Sequence, residues 1–521
     1  MACITKEYVR RILERGREPM EPTSYKVDWS DAPIRHKIYL GVPRLDIPVS
    51  GGEIGAWWWN FDMRLRASYA PFDRRTRVTA NNGVSHQQEA AGAVYARAST
   101  SGGGMYPVEL YLVIGADLGI QAGVYHYSSA HHMLEQLMLG DFRNRILGAL
   151  RGHTYSLPGA YVVATVRFWK NSFKYASFCY HVVTTDIGTL FGSWHGVAGE
   201  RPELHLWFDE ADLNQLLGLN WREESVFAVA SLGSVNKTAI KSAESVTAGQ
   251  PPQRASVNVD FLETSRVVRT FPWNMDVQLE MMNDTRSMPA KCPEQSLVPP
   301  KGRRWALPFR ERLSTVLWRR TVQKRESSFG RFDGSTGMSR SQLSALLVSA
   351  LGPRLIRFPS QEDSLHHFFR LSVFATRVGD IPEGAYQYEP QSHSLCEVPG
   401  PPLHPFLQYC YYLKNYNFEQ ASAILVISAC PGSVISKIGP RGYRLMNAEL
   451  GAALQRIYVR AASEELGCGA VYGFENVAIR ERLQMEGEEW PLVLVLVGPN
   501  KPGSAFYRYV LPTEGLECGE H

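Results

Sequence analysis

The sequence lacks paired cysteines and long apolar runs, and each absence excludes a class of protein. Its eight cysteines are scattered without a Cys-x-x-Cys pair, so neither a zinc site nor a disulfide framework is indicated, and we expect free thiols and no bound metal. No stretch of about 18 uncharged apolar residues occurs, and the first residues hold no apolar core of the length that a signal peptide needs. We therefore expect a cytoplasmic protein with no membrane partner.

An excess of charge of one sign is also missing. The formal net charge is +4 over 521 residues, and no block of about five or more like charges marks a nucleic-acid tail. Hydrophobic residues make up 44% and charged residues 20% of the chain, which is an ordinary globular balance. Because single cores stop growing at roughly 250–300 residues, we expect two domains of similar size and no nucleic-acid partner.

An internal repeat supports this division. Five residues of the segment that begins at Gly123 recur at the same spacing from Gly384, and four residues that begin at Lys174 recur from Lys437. The matched pairs are Gly123 and Gly384, Tyr125 and Tyr386, Tyr127 and Tyr388, His132 and His393, Leu134 and Leu395, then Lys174 and Lys437, Tyr180 and Tyr443, Asp186 and Glu449, and Gly188 and Gly451. We interpret the chain as two copies of one α+β domain, residues 1–240 and 305–521, joined by a linker at 241–304.

The pattern of apolar residues predicts the elements of each copy. Runs rich in β-branched and aromatic residues predict strands on both sides of the matched segments. After Lys437, apolar residues at helical spacing predict a long helix that Gly467 ends. The linker holds a short element near residues 273–282 in this interpretation.

Residues 97–113, RASTSGGGMYPVELYLV, carry the most informative motif of the chain. Three glycines, with small hydroxyl residues before them, let backbone N–H groups approach a flat polar ring closely, where a bulky side chain would block it. Taken alone, the motif has an alternative interpretation as an ordinary glycine turn ahead of a strand.

Together with four further segments, this motif resembles the SagB-type, or McbC-like, branch of the nitroreductase family. The further segments begin at Asp28, Gly123, Phe173 and Phe208, and the resemblance covers residues of about 27 to 235 and, more loosely, the second copy to about 500. It implies two tandem nitroreductase-like domains that form a pseudo-dimer, each with a central, mainly antiparallel sheet flanked by helices. It also implies bound FMN, for which the first-copy candidates are Arg97, Ser99, Ser101, Gly102 and Gly103.

The catalytic Lys-Tyr pair of that family falls on Lys174 and Tyr175. Conversion of an azoline to an azole removes a proton from the former α-carbon and a hydride from its neighbour, and flavin N5 takes the hydride. The base would be a lysine whose pKa is lowered by burial, or a tyrosine that the lysine makes more acidic. A surface lysine in an ion pair beside a core tyrosine is the alternative.

The second copy departs from the family pattern where the first agrees with it. Residues 358–369, FPSQEDSLHHFF, have no glycine run, and Ile438 follows Lys437 in place of tyrosine. Residues 319–332 nevertheless loosely resemble the family's phosphate-binding opening, and residues 471–477, VYGFENV, resemble its Gly-Phe loop beneath the flavin. The resemblance therefore implies one site shared between the copies. Its second-copy candidates are Arg319, Arg325, Ser327, Arg331, Gly473 and Phe474, with Lys501 and Arg508 as further phosphate ligands.

The function implied by the resemblance is oxidation of thiazoline or oxazoline rings to azoles in a ribosomally made precursor peptide of thiopeptide or linear azole type. O2 would reoxidise the flavin, a cyclodehydratase complex is a candidate partner, and the monomer itself would form the site. Two alternatives stay open: an NAD(P)H-dependent nitro or enone reductase, which shares the fold and cofactor, and a flavin-free scaffold subunit of a peptide-modifying complex.

Overall fold

The computed structural model describes most of the chain, namely residues 3–48, 52–70, 73–77, 94–152, 157–198, 202–233, 255–293, 301–328, 331–359, 368–413, 416–501 and 506–510. For residues 73–77, 94–96 and 506–510 it describes the path of the backbone alone. Within these ranges no helix has the length and apolar character that crossing a membrane requires.

The first half of the chain places helices around a sheet. Its helices are α1 (Ile4–Glu14), α2 (Gly52–Arg66), α3 (Arg143–Ala149), α4 (Phe168–Tyr175), α5 (Cys179–Ala198) and α6 (Glu210–Leu216). Its strands are β1 (Arg44–Asp46), β2 (Asp73–Arg77), β3 (Val94–Ala96), β4 (Val108–Ile114), β5 (Gly123–Ser128), β6 (Met133–Leu139), β7 (Ala160–Arg167), β8 (Glu203–His205) and β9 (Glu224–Leu232).

The second half repeats this plan after a connecting helix, α7 (Pro272–Asn283), which lies where the sequence indicates a short element. Its helices are α8 (Thr315–Val322), α9 (Arg340–Ala350), α10 (Phe406–Tyr409), α11 (Pro431–Ile438), α12 (Arg441–Ser463) and α13 (Asn476–Arg482). Its strands are β10 (Arg304–Ala306), β11 (Arg370–Ala375), β12 (Gly384–Glu389), β13 (Ser394–Val398), β14 (Ala423–Ala429), β15 (Gly467–Val471), β16 (Trp490–Gly498) and β17 (Phe506–Val510).

The two large sheets have the same topology. Their orders are β1-β6-β5-β4-β7-β9-β8 and β10-β13-β12-β11-β14-β16-β15, and the second order is the first with each strand replaced by its counterpart. Neighbouring strands pair antiparallel in both sheets. The prediction of two tandem α+β domains with mainly antiparallel sheets is confirmed.

Strand β4 shows why the central strands are apolar throughout. Leu110 and Leu112 face the core that contains α5, whereas Tyr111 and Val113 face a second core that contains α3 and α6. Because helices cover both faces, the usual alternation of apolar and polar residues disappears. The strand is buried along its whole length.

The repeat extends to individual side chains. The hydroxyl group of Tyr127 lies 2.9 Å from Nδ1 of His132, and that of Tyr388 lies 2.8 Å from Nδ1 of His393. Both histidines have a left-handed backbone, with φ values of 55° and 44°. The pairs found by sequence spacing therefore form the same contact in both copies.

A buried carboxylate is repeated in the same way. Thr165 donates a 2.6 Å hydrogen bond to Glu224, and Ser428 donates a 2.6 Å hydrogen bond to Glu489. Thr165 and Glu224 lie on β7 and β9, whereas Ser428 lies on β14 and Glu489 directly precedes the counterpart strand β16. Buried hydroxyl and carboxylate groups stabilise the fold only when they are paired, so both copies have kept both partners.

The predicted end of the long helix at Gly467 is wrong. Helix α12 ends at Ser463, and the left-handed residue of the following turn is Glu465, with φ of 58°. Gly467 instead begins β15, where a Cβ atom would lie 2.1 Å from Oδ1 of Asn500. A close side-chain approach, not the helix end, requires glycine at this position.

The segment between the copies packs on the first half. Phe261 forms a bridge with Tyr39, and Glu263 forms a 2.5 Å ion pair with Arg167 at the end of β7. At the other end of the chain, β17 pairs with β2 in a three-stranded sheet completed by β3. Both connections tie second-half or linker residues to the first copy.

Candidate functional site

The glycine motif forms a turn directly against α4. Gly103 and Gly104 have φ values of 65° and 70°, a conformation that glycine adopts without strain. A Cβ atom at Gly103 would lie 2.7 Å from the hydroxyl oxygen of Tyr175 and 3.1 Å from Nζ of Lys174. The structure therefore brings the predicted loop and the predicted Lys-Tyr pair together.

Asp186 of α5 holds this loop in place. Its carboxylate accepts hydrogen bonds of 2.7 Å from Oγ of Ser101 and 2.9 Å from the backbone N–H of Gly102. The side chain is buried, and burial raises the pKa of Asp186 to about 7 against the opposing effect of these two donors. Sequence spacing identified Asp186 as a repeat residue but not as the anchor of the loop.

The second copy holds the beginning of the same loop. Arg325 donates hydrogen bonds of 2.9 and 3.0 Å to the backbone carbonyls of Ala98 and Arg97. Gln455 of α12 accepts a 3.0 Å hydrogen bond from the N–H of Thr100 and donates one of 3.1 Å to Ala98. The glycine loop is thus fixed from both copies, as the predicted shared site requires.

The Gly-Phe loop of the second copy also reaches the first copy. Phe474 is fully buried, and the carbonyl of Gly473 accepts a 2.9 Å hydrogen bond from the N–H of Tyr412. The adjoining ring of Tyr472 lies 6.1 Å from the ring of Phe178 and 5.5 Å from that of His181, measured between centroids. These two residues stand at the junction of α4 and α5, so the loop and the Lys-Tyr segment share one region.

A residue that sequence reasoning missed joins this region from the N-terminal segment. Arg15 donates hydrogen bonds to the carbonyl of Tyr472 and to Oδ1 of Asn476, and its guanidinium lies 4.5 Å from the ring centroid of Phe178. Burial lowers the pKa of Arg15 to about 10. No motif marks this arginine, because its partners come from both copies and only folding brings them together.

The predicted phosphate ligands fall into two groups. Ser327, Arg331 and Lys501 lie together. The guanidinium of Arg331 donates a hydrogen bond to the carbonyl of Ser327, and the backbone carbonyl of Arg331 accepts one from the N–H of Lys501. Both Arg325 and Ser327 approach Tyr458. The guanidinium carbon of Arg325 lies 5.4 Å from the ring centroid, and the hydroxyl oxygen of Ser327 lies 3.4 Å from that of Tyr458. This cluster adjoins the glycine loop through Arg325.

The remaining candidates lie elsewhere. Arg319 donates a 2.7 Å hydrogen bond to the carbonyl of Val197, near the C-terminal end of α5 and 11 residues after Asp186. Nη2 of Arg97 lies 3.0 Å from Nδ1 of His36, and the hydroxyl of Ser99 donates to the carbonyl of Ser68, so both side chains support the base of the loop. The side chain of Arg508 lies outside the described residues.

The predicted electrostatics of the Lys-Tyr pair need correction. Lys174 is exposed, so the burial that was expected to make it a base is not there. Burial and the nearby carboxylate of Asp186 hold the pKa of Tyr175 well above its usual value, so the phenol is less acidic than an ordinary tyrosine, not more. Tyr175 is therefore a neutral hydrogen-bond donor at physiological pH.

Different side chains stand at the second interface site, which the pseudo-twofold symmetry relates to the shared site. Arg441 and Arg444 are fully buried and each lies 2.9 Å from Oε1 of Glu210. Trp207, in the loop before α6 that corresponds to the Gly-Phe loop, is buried where the second copy has Gly473. These side chains fill the region, and residues 360–367, which include most of the segment predicted to replace the glycine run, lie outside the described residues.

Comparison with known proteins shows what the chain is similar to. The nitroreductase family model matches residues 325–499, which lie in the second copy. A crystal structure from Anabaena variabilis, named for a nitroreductase, aligns with 96% of this chain and 100% of its own at 19% identity and a TM-score of 0.73. Both halves together therefore have the nitroreductase fold.

Two relatives are similar over shorter segments. A Methanocaldococcus jannaschii protein named for a nitroreductase is 29% identical over 166 residues, which are 32% of this chain and 82% of that protein. The trifolitoxin-processing protein TfxB of Rhizobium leguminosarum bv. trifolii is 34% identical over 110 residues, which are 19% of this chain and 29% of TfxB.

Proposed function

We propose that this protein is an FMN-dependent dehydrogenase of SagB type that oxidises thiazoline or oxazoline rings to azoles in a precursor peptide. The observation that carries the proposal is the contact of Gly103 with both Lys174 and Tyr175, in a loop that Arg325 of the second copy anchors. The similarity to TfxB, whose name describes the processing of trifolitoxin, supports a peptide as substrate.

The residues at the shared site fit FMN on three observations. Gly103 places bare backbone beside the Lys-Tyr pair. At Gly473 the surrounding protein atoms would leave room for a methyl group, so the packing of the protein does not by itself explain why this residue is glycine. The buried hydroxyl of Thr100 has no hydrogen-bond partner within the described part of the chain. Arg325, Ser327 and Arg331 would supply the donors that a phosphate needs.

The chain's own residues would divide the proton chemistry between them. Bound FMN supplies a hydride acceptor. Lys174, exposed beside Gly103, would take the proton from the former α-carbon and release it to solvent. Tyr175 stays protonated and would orient the ring by donating a hydrogen bond, and O2 would restore the oxidised cofactor.

One site per chain follows from the same comparison of halves. The shared site keeps the glycine loop, whereas Arg441, Arg444 and Trp207 occupy its counterpart. The pseudo-dimer would therefore act as a monomer with one working interface.

The test uses purified protein and a synthetic peptide that contains one thiazoline. We expect a yellow protein that consumes O2 and removes two hydrogen atoms from the peptide, as mass spectrometry measures. The match to the nitroreductase family favours an NAD(P)H-dependent nitro or enone reductase as the second candidate. Reduction of such a compound by NAD(P)H, without oxidation of the peptide, would establish that alternative, and a colourless protein would establish a flavin-free scaffold subunit.

A further inference from the structure

Asp186 is a buried carboxylate at the glycine loop. The residue is 5% exposed, and its carboxylate accepts hydrogen bonds of 2.7 Å from Ser101 and 2.9 Å from the N–H of Gly102. Within the part of the chain that the structure describes, no lysine, arginine or histidine forms an ion pair with it, and no cation lowers its pKa. Because a buried charge is costly unless it is paired, this carboxylate is expected to take up a proton readily.

Three other buried carboxylates in the same half of the chain each lie beside a cation. The pairs are Glu109 with Lys170 at 3.0 Å, Glu210 with Arg444 at 2.9 Å, and Glu224 with Lys37 at 2.7 Å. Each cation compensates the charge of its carboxylate inside the protein. The unpaired carboxylate at the glycine loop is therefore a property of that position and not of the fold.

The second copy holds a loop in the same way, but its carboxylate has cations nearby. Oε1 of Glu449, the repeat counterpart of the aspartate, accepts hydrogen bonds of 2.8 and 3.1 Å from the N–H groups of Leu355 and Ile356. Burial raises the pKa of Glu449, but the charges of Arg354 and Arg456 oppose this rise. Holding a loop therefore does not by itself require a carboxylate without a cation beside it.

Neutral phenol and thiol groups surround Asp186 on its other sides. They are Tyr69, which follows α2, Tyr175 of α4, Cys179 of α5 and Tyr472 of the second copy. Burial and, after it, the charge of Asp186 raise the pKa values of all four above their usual values. Burial raises the pKa of Asp186 itself to about 7. Among these described groups, the carboxylate is therefore the one that titrates near neutral pH.

The proposed reaction changes the charge at this loop. Oxidation of one azoline ring releases a hydride and a proton, and the hydride carries two electrons to the bound cofactor. Lys174, which is exposed beside Gly103, passes the proton on. Hydride transfer thus leaves the site with one negative charge more than before. A buried carboxylate close to such a charge gains a proton, because a like charge disfavours its ionised form.

We propose that Asp186 takes up one proton when the site is reduced and releases it when the site is reoxidised, so that the net charge at the glycine loop stays constant. The step balances, since the azoline ring gives up a hydride to the cofactor and a proton to the carboxylate. O2 then takes up the two electrons and both hydrogens as H2O2. The inference rests on the proposed function, because FMN is the group that brings the electrons to this loop.

Redox titration of the purified protein with bound FMN tests this inference without a peptide. Each proton taken up with two electrons changes the equilibrium tenfold per pH unit, which corresponds to about 30 mV. Above about pH 7 Asp186 is ionised in the oxidised protein, so the wild-type potential should fall about 30 mV per pH unit more steeply than that of Asp186→Asn. Below about pH 6 the aspartate is protonated in both redox states, and the two slopes should agree.

Controls separate proton uptake by Asp186 from its part in holding the loop. Glu449→Gln removes the counterpart carboxylate from the other loop and should keep the wild-type slope. Free FMN, titrated in parallel, needs no variant, and above about pH 7 the wild type should show the steeper slope of the two. Infrared difference spectra add a direct readout: reduction of the wild type near about pH 8 should produce the carbonyl band of a protonated carboxyl group, and Asp186→Asn should lack it.

The outcomes distinguish this inference from the proposed function. Equal slopes of the wild type and Asp186→Asn at every pH, or the same change in Glu449→Gln, would overturn the role of Asp186. If Asp186→Asn binds no FMN, a wild-type slope no steeper than that of free FMN would overturn it instead. If the wild type shows the expected slope but oxidises no azoline, the proposed function fails and the role of Asp186 stands. A protein that binds no added FMN would refute both.

Discussion

Gly188 of α5 and Gly451 of α12 face each other where the two long helices cross. A Cβ atom on Gly451 would lie 3.0 Å from the Cα atom of Gly188 and 2.1 Å from the carbonyl oxygen of Thr185. A Cβ atom on Gly188 would lie 1.9 Å from the carbonyl oxygen of Ala448. These glycines are counterparts in the repeat. The pseudo-twofold axis that relates the two copies therefore passes between them.

We expect Gly451→Ala to destabilise the protein by about 1–3 kcal/mol, because the helices must separate to admit the methyl group. Urea unfolding followed by circular dichroism measures the change. Gly148→Ala in α3 is the matched control, since no atom lies within 4 Å of its added Cβ, and it should be neutral or stabilise by up to about 1 kcal/mol. A similar response to both substitutions would contradict the crossing geometry.

The sequence predicted those features that depend on spacing alone. The pairs Gly188 and Gly451 and Tyr127 and Tyr388 followed from the repeat, and the contact of Gly103 with the Lys-Tyr segment agrees with the motif. Contacts between distant segments could not be predicted, because no local pattern specifies them. The anchoring of the glycine loop by Asp186 and the burial of Arg441 against Glu210 are of this kind.

The proposed single site predicts one FMN per chain. Buried Arg441, Arg444 and Trp207 stand at the counterpart site, where Trp207 replaces the glycine of the Gly-Phe loop, so we expect no second flavin there. Flavin released with acid and measured by absorbance against protein concentration should give a ratio near one. A ratio near two would refute the shared-site argument, and a flavin that spans two chains in an obligate homodimer would refute the monomeric site.

Lys174→Ala should leave FMN bound and slow azoline oxidation by about 10²–10⁴-fold, the usual effect of removing a general base. Tyr175→Phe should also retain FMN and slow the reaction, because only the donating hydroxyl is lost. Single-turnover reduction of the bound flavin by the peptide measures both rates. Lys437→Ala, exposed at the corresponding place in the second copy, is the control and should do far less. Equal effects of the two lysine substitutions would show that the base lies elsewhere.

Asp186 should make the stability of the protein depend on pH. Burial raises its pKa to about 7, whereas the unfolded chain titrates this aspartate near about 4. The folded state therefore holds the proton more tightly, and the contribution of this group to the free energy of unfolding falls as pH rises from about 4 to about 7. Asp186→Asn does not titrate, so its stability should decline less than that of the wild type between about pH 5 and pH 8. Parallel curves from urea unfolding would contradict this assignment.

A comparison of substitutions at Arg325 and Arg319 distinguishes a role in FMN binding from a role in packing. Both arginines donate to backbone carbonyls of the first copy, but Arg325 anchors Arg97 and Ala98 at the glycine loop, whereas Arg319 binds Val197 at the far end of α5. We expect Arg325→Gln to weaken FMN binding by about tenfold or more, since a charged donor beside the loop is lost and each such hydrogen bond contributes about 1.5–3 kcal/mol. Arg319→Gln should lower stability without changing the affinity for FMN. Titration of the apoprotein with FMN, followed by quenching of flavin fluorescence, distinguishes the two. If both substitutions weaken FMN binding equally, the effect comes from the interface between the copies as a whole, and Arg325 holds no special place in the site.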